Sequence, residues 1–122
     1  MSQPGPPRLL FAYGTLVPAE PARRSAEGWE PDAVRGRLYD LGPYPGLLDL
    51  DDPAASWVGG FVRPVSEREL IGRLDPYEGV DEGLYRRERT TTRAGRLAWV
   101  YVYDRPLPDG ARGPIPYWRV ER

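Results

Sequence analysis

Residues 97–103 read LAWVYVY, and no position in the run is charged. Side chains of a strand alternate between its two faces. Here both alternating sets are apolar or aromatic: Leu97, Trp99, Tyr101 and Tyr103 against Ala98, Val100 and Val102. A strand of this kind is covered on both sides, as in a closed or strongly curled sheet. Upstream, Leu84–Thr92 reads as its partner, with Arg93-Ala94-Gly95-Arg96 as the hairpin turn between them. Further out, RLLFAY (8–13) is a buried strand ended by Gly14, and WVGGFVRPV (57–65) is a strand weakened by Gly59, Gly60 and Pro64. Ala33–Leu41 alternates in part, with a bulge or close backbone approach expected at Gly36. Pro43-Tyr44-Pro45-Gly46 is read as a turn, followed by a short strand at Leu47–Leu50.

Helical signals are few. Glu20–Ala26 has room for a turn or two. Ser66 with Glu69 three residues on makes a capping box, and Leu70, Ile71 and Leu74 give the helix an apolar face, with Pro76 as its stop. Pro106–Pro116 reads as irregular, with Tyr117-Trp118 docking back onto the body. The expected architecture is α+β, a small barrel-like mixed β-sheet with one or two short helices. One domain is expected over 8–119, preceded by a flexible tail at 1–7.

Composition narrows the chemistry. The 122 residues contain no histidine and no cysteine, and all 17 basic side chains are arginine. Ser-His-Asp and Cys-His triads, thiolate chemistry, disulfides and Cys/His zinc sites are therefore excluded. Acid–base work near neutral pH falls to Asp, Glu, Tyr, the amino terminus or the substrate itself. The net charge is −1 and the arginines are scattered, so no basic stripe suits nucleic acid. The longest apolar run before the C-terminal strand, Leu9–Ala12, is far too short to span a bilayer, and residues 1–7 carry no positive charge of a secretory signal. A cytoplasmic protein without membrane or nucleic-acid partners is expected; the sequence leaves the oligomeric state open.

Three segments could carry chemistry. Tyr13-Gly14-Thr15-Leu16 follows the first strand, and a glycine there lets successive N–H groups converge on an anion. Alone, it reads first as an ordinary strand-ending turn. In Leu74-Asp75-Pro76-Tyr77-Glu78-Gly79-Val80, Glu78 falls between a helix stop and a glycine, on a constrained loop where burial would raise its pKa toward that of a general base. Alone, it is also readable as a surface carboxylate paired to an arginine. Tyr85, Trp99, Tyr101 and Tyr103 suit either a pocket wall or ordinary core.

As an ordered set, YGTL after the first strand, then GRLYDLGPYPG at 36–46, then LDPYEGV with Tyr85 seven residues beyond the glutamate, the sequence resembles the gamma-glutamylcyclotransferase superfamily, and within it the short AIG2-like (YtfP-type) branch. The resemblance runs from about Leu9 to Trp118. It implies a cavity beside the first-strand loop, with Tyr13, Gly14, Thr15 and Leu16 binding the glutamyl moiety through backbone N–H groups. It further implies Glu78 as the catalytic carboxylate, Tyr85 on the pocket wall and Tyr44, Pro45 and Gly46 as a turn facing the cavity. Tyr103 is taken as a further substrate-binding residue from the aromatic set. The ending Ile115–Arg119 resembles the family's I-x-x-G-D-W-R but has Pro116-Tyr117 where the family has Gly-Asp.

The implied reaction suits this composition. The substrate's own α-amine attacks its γ-carbonyl, releasing an amine and leaving 5-oxoproline, so no enzyme nucleophile, metal or cofactor is required. One carboxylate can carry both protons, and loop N–H groups can hold negative charge. Two competing readings are a non-catalytic small-molecule-binding module on the same fold and an interaction domain that docks through its proline-rich C-terminal segment.

Overall fold

The computed structural model describes residues 5–118. Eight strands and short helical segments follow in the order β1 (Leu9–Ala12), α1 (Pro21–Ala26), β2 (Glu30–Arg35), β3 (Arg37–Asp40), β4 (Pro45–Leu48), β5 (Trp57–Pro64), α2 (Glu67–Glu69), a π-helical stretch (Leu70–Leu74), α3 (Asp75–Tyr77), β6 (Tyr85–Thr91), β7 (Leu97–Tyr103) and β8 (Arg112–Ile115). A five-stranded sheet has the order β2-β5-β1-β7-β6 and a three-stranded sheet the order β4-β3-β8. β1 and β7 are parallel and the other pairs antiparallel, so the larger sheet is mixed. Its two edges meet at one end, where the Arg93 N–H donates to the Ala33 carbonyl at 2.8 Å. The sheet is therefore curled, as the doubly apolar β7 requires.

The alternation in β7 is used in full. Ala98, Val100 and Val102 enter a core with Phe11, Tyr13, Val34, Leu38, Leu47, Val58 and Val62. Trp99, Tyr101 and Tyr103 face a second core with Leu10, Ala12, Trp29, Leu70, Leu74 and Tyr85. β1 divides its side chains the same way, so the two central strands are covered on both faces. Gly60 makes this possible on β5: a Cβ there would lie 2.5 Å from the Ala12 carbonyl oxygen and 2.6 Å from the Phe11 ring. The glycine that reads as a weakness in the strand is what lets β1 pass.

Several expectations are corrected. Ala33–Leu41 is not one strand. It splits at Gly36 into β2 and β3, which belong to different sheets, because a Cβ at Gly36 would strike Leu47 at 2.7 Å and the chain turns there against β4. Pro45 and Gly46 begin β4 instead of completing a turn, and the Leu41 N–H closes the actual turn on the Tyr44 carbonyl at 3.1 Å. Pro76 does not stop the helix. The Asp75 N–H reaches five residues back to the Leu70 carbonyl, and after this wider π turn the chain accepts a proline in the first turn of α3. The capping box is half made: Ser66 Oγ accepts from the Glu69 N–H at 3.1 Å, while the Glu69 carboxylate is spent on arginines. Within the irregular C-terminal stretch, Arg112–Ile115 pairs with β3 as an edge strand, the one place in a sheet where its proline is tolerated. Trp118 packs on the first core. Residues 1–4 of the expected tail and Arg119 of the expected domain lie outside the described residues, and Pro7 is buried.

Candidate active site

The segment that carries Glu78 is built by a C-cap. Gly79 takes a φ of 66°, the left-handed region that a glycine enters without steric cost. Its N–H donates to the Pro76 carbonyl and the Val80 N–H to the Asp75 carbonyl, both at 3.1 Å. This is a Schellman motif, with Glu78 as the C-cap and Val80 packed in the same core as Leu74. The motif ends the helix at Glu78 and turns the chain away immediately after it.

Glu78 lines a cavity of about 300 Å³ together with Tyr13, Gly14, Thr15, Leu16, Tyr44, Pro45 and Tyr85. Eight of the ten residues expected from the sequence are thus brought together. Gly46 and Tyr103 are not among the lining residues. A Cβ at Gly46 would meet Leu41 at 2.9 Å and Tyr103 at 3.1 Å, so this glycine lets β4 cross Tyr103 and serves packing. Tyr103 stands behind Tyr85, ring edge to face at 5.6 Å. Phe11, Ala12, Tyr77, Leu84 and Tyr101 complete the wall. Tyr101 and Tyr103 share one face of β7, and alternation gives the face but not which position along the strand meets the cavity. Tyr77 carried no signal beyond its place beside Glu78.

Glu78 is the only charged residue in the lining. Its carboxylate has no hydrogen bond and no ion pair among the described residues, although ten arginine–carboxylate contacts are made elsewhere. Burial without a counter-charge pushes its pKa up to about 7. The carboxylate in turn acts on three tyrosine hydroxyls of the wall, raising Tyr13, Tyr85 and Tyr101, for each of which burial is the larger cause.

The loop after β1 lines the same cavity. The Gly14 carbonyl accepts from the Val17 N–H at 3.1 Å, whereas the N–H groups of Gly14, Thr15 and Leu16 donate to no protein acceptor among the described residues. Glycine is needed at 14, since a Cβ would lie 2.8 Å from Pro45 Cγ. Pro45 is held in turn by Tyr85, whose hydroxyl donates to the Pro45 carbonyl at 2.5 Å. Tyr13 fastens the base of the loop, donating to the Tyr101 carbonyl at 2.5 Å and accepting from the Leu47 N–H at 3.3 Å. The lining thus combines, among the described residues, backbone N–H groups with no protein acceptor and a carboxylate with no partner. No group of side chains suited to hold a metal ion occurs among the described residues, and no helix there is long and apolar enough to cross a membrane.

A family model described as gamma-glutamyl cyclotransferase, AIG2-like, matches residues 10–119. A Vibrio cholerae protein named "Putative gamma-glutamylcyclotransferase" is 36% identical over 101 residues, covering 79% of this chain and 82% of its own. Among solved structures, an uncharacterized protein from Pyrococcus horikoshii aligns with a TM-score of 0.59 at 19% identity, over 85% of this chain and 84% of that one. YkqA from Bacillus subtilis aligns with a TM-score of 0.60 at 24% identity, over 80% of this chain and 36% of that one. These two likenesses concern the fold, which is α+β with mixed sheets and short helices. With the family model spanning nearly all of it, the chain belongs to the AIG2-like gamma-glutamyl cyclotransferase family.

Proposed function

We propose that the protein cyclises a γ-glutamyl amine or amide to 5-oxoproline and releases the amine, with Glu78 carrying the protons. The observation that bears the reading is the Glu78 carboxylate, unpaired among the described residues and with its pKa near 7, in a cavity also lined by Gly14–Leu16, whose N–H groups donate to no acceptor among those residues. The carboxylate takes a proton from the substrate's α-ammonium. The freed amine attacks the γ-carbonyl carbon, forming the C–N bond of the ring, and the carbonyl oxygen gains negative charge. Glu78 returns its proton to the leaving nitrogen as the old C–N bond breaks. It then takes the extra proton from the ring nitrogen and passes it to the released amine, which leaves as ammonium beside a neutral lactam. A group with a pKa near the working pH is suited to both transfers. The loop N–H groups of Gly14–Leu16 are suited to hold the substrate's carboxylate or the developing oxyanion. The cavity serves to fold the substrate onto itself, which is an orientation problem.

A binding module without catalysis would be favoured by a Glu78 locked to an arginine, and no such pair occurs among the described residues. The test is a panel of γ-glutamyl amines, amino acids and dipeptides assayed for 5-oxoproline release. Release from at least one member, lost in Glu78→Gln, supports the reading; no release from any, or equal release by the variant, contradicts it.

A further inference from the structure

Three hydroxyl protons of the cavity wall, those of Tyr13, Tyr85 and Tyr101, are placed by partners that accept them. Tyr101 Oη is 2.6 Å from Asp75 Oδ1, Tyr85 Oη is 2.5 Å from the Pro45 carbonyl, and Tyr13 Oη is 2.5 Å from the Tyr101 carbonyl. A phenol has one proton, so all three are spent inside the protein, and what remains on each oxygen is acceptor capacity. Tyr13 uses part of this on the Leu47 N–H. Towards a ligand these three oxygens can therefore only accept.

Tyr101 is held most firmly in that sense. Asp75 receives Arg87 through two bonds, at 2.9 and 3.1 Å, and the Arg87 guanidinium lies 4.3 Å from the Trp99 ring centroid. Arg87 holds the Asp75 side chain beside Tyr101, where Asp75 Oδ1 accepts the phenol proton and fixes it away from the cavity. Without Asp75 the hydroxyl could rotate and present its proton to the ligand. The π-helical stretch directly before Asp75 is where the segment shifts its register, setting Asp75 on the Arg87 side and Glu78, three residues on, in the cavity wall.

We propose that Tyr101 accepts a hydrogen bond from the ligand's α-ammonium and selects for it, with Asp75 and Arg87 as the positioning residues that keep its hydroxyl an acceptor. The inference rests on the reading of this cavity as a γ-glutamyl site and assigns the residue that recognises the amine before Glu78 deprotonates it.

L-glutamate and glutarate form a matched pair, identical except for the ammonium, and calorimetric titration of both at pH 8 isolates it. The wild type binds L-glutamate more tightly than glutarate. Tyr101→Phe, which removes only the oxygen, weakens L-glutamate about tenfold or more, as befits a hydrogen bond to a charged group, and leaves glutarate within about twofold. Asp75→Ala narrows the preference as well, and Asp75→Asn, which keeps an oxygen to accept the phenol proton, preserves more of it. A merely structural role would weaken both ligands together. An unchanged preference in Tyr101→Phe, no preference in the wild type, or no binding of either ligand overturns the proposal. 5-Oxoproline release by the same preparations separates the two claims. Release that depends on Glu78, with an unchanged ligand preference in Tyr101→Phe, removes Tyr101 from recognition and leaves the reaction. A preference that depends on Tyr101, with no release from any substrate, leaves the ammonium site and removes the reaction.

Discussion

Glu69 and Glu78 lie on one helical segment, are the same residue type, and have been driven in opposite directions. Glu69 accepts from Arg63 at 3.0 and 2.8 Å and also from Arg73, and these guanidiniums hold its pKa down at about 2. Glu78 meets no arginine among the described residues and is pushed up to about 7 by burial. In a chain with 17 arginines, leaving one buried carboxylate unpaired is a costly arrangement. Glu69 shows what an ordinary glutamate does on this surface. The difference is what supports the proposed role of Glu78 as the proton carrier.

The strongest way to break this comparison is to make Glu78 neutral. Glu78→Gln should keep the fold and lose about 10²–10⁴-fold or more in 5-oxoproline release, the range of a single acid–base group, whereas Glu69→Gln should leave the turnover rate nearly unchanged. Next in size is the loop that lines the cavity with Glu78. Gly14→Ala places a methyl 2.8 Å from Pro45 Cγ, so the loop or β4 must shift. Release should fall by at least tenfold and the melting temperature by an amount worth about 1–3 kcal/mol.

Stability against pH then separates the two glutamates by sign. The Glu78 pKa is raised on folding, so the unfolded chain ionises first as pH climbs from about 4.5 to 7. Wild-type stability falls over that window and stays reduced above it. Glu78→Gln should therefore match the wild type near pH 4 and exceed it at pH 8 by about 2 kcal/mol, the shift discounted for the residue's partial exposure. Glu69 has a lowered pKa, so its stabilisation is complete above about pH 4.5 and is lost as pH falls toward 2. Glu69→Gln should cost about 1 kcal/mol at pH 7 and nothing near pH 2, by thermal or denaturant unfolding.

Much of this was legible in the residues. β7 announced a sheet covered on both faces through its doubly apolar alternation, whereas YGTL and LDPYEGV, each readable alone as an ordinary turn, pointed to a site only as an ordered set through the family resemblance. What stayed hidden depends on contacts between distant segments. Gly36 reads as a bulge or a close backbone approach, and the approach to Leu47 is there, but that it is also a sheet boundary depends on a contact between distant segments. Pro76 reads as a helix stop because a π turn ahead of a proline has no pattern of its own. β8 pairs through Leu38 and Asp40, which no local periodicity around Gly113 and Pro114 reveals. Asp75 was quoted within its motif, yet its bond to Tyr101, 26 residues away, exists only in the folded chain.

Side-chain carboxyl ¹³C titration of the glutamates, followed by NMR from pH 2 to 9 on the free protein, tests the central claim most directly. The account predicts that the Glu78 resonance moves with a midpoint near 7 while that of Glu69 has its midpoint near 2. A Glu78 midpoint close to 4.5, that of an exposed carboxylate, would contradict it.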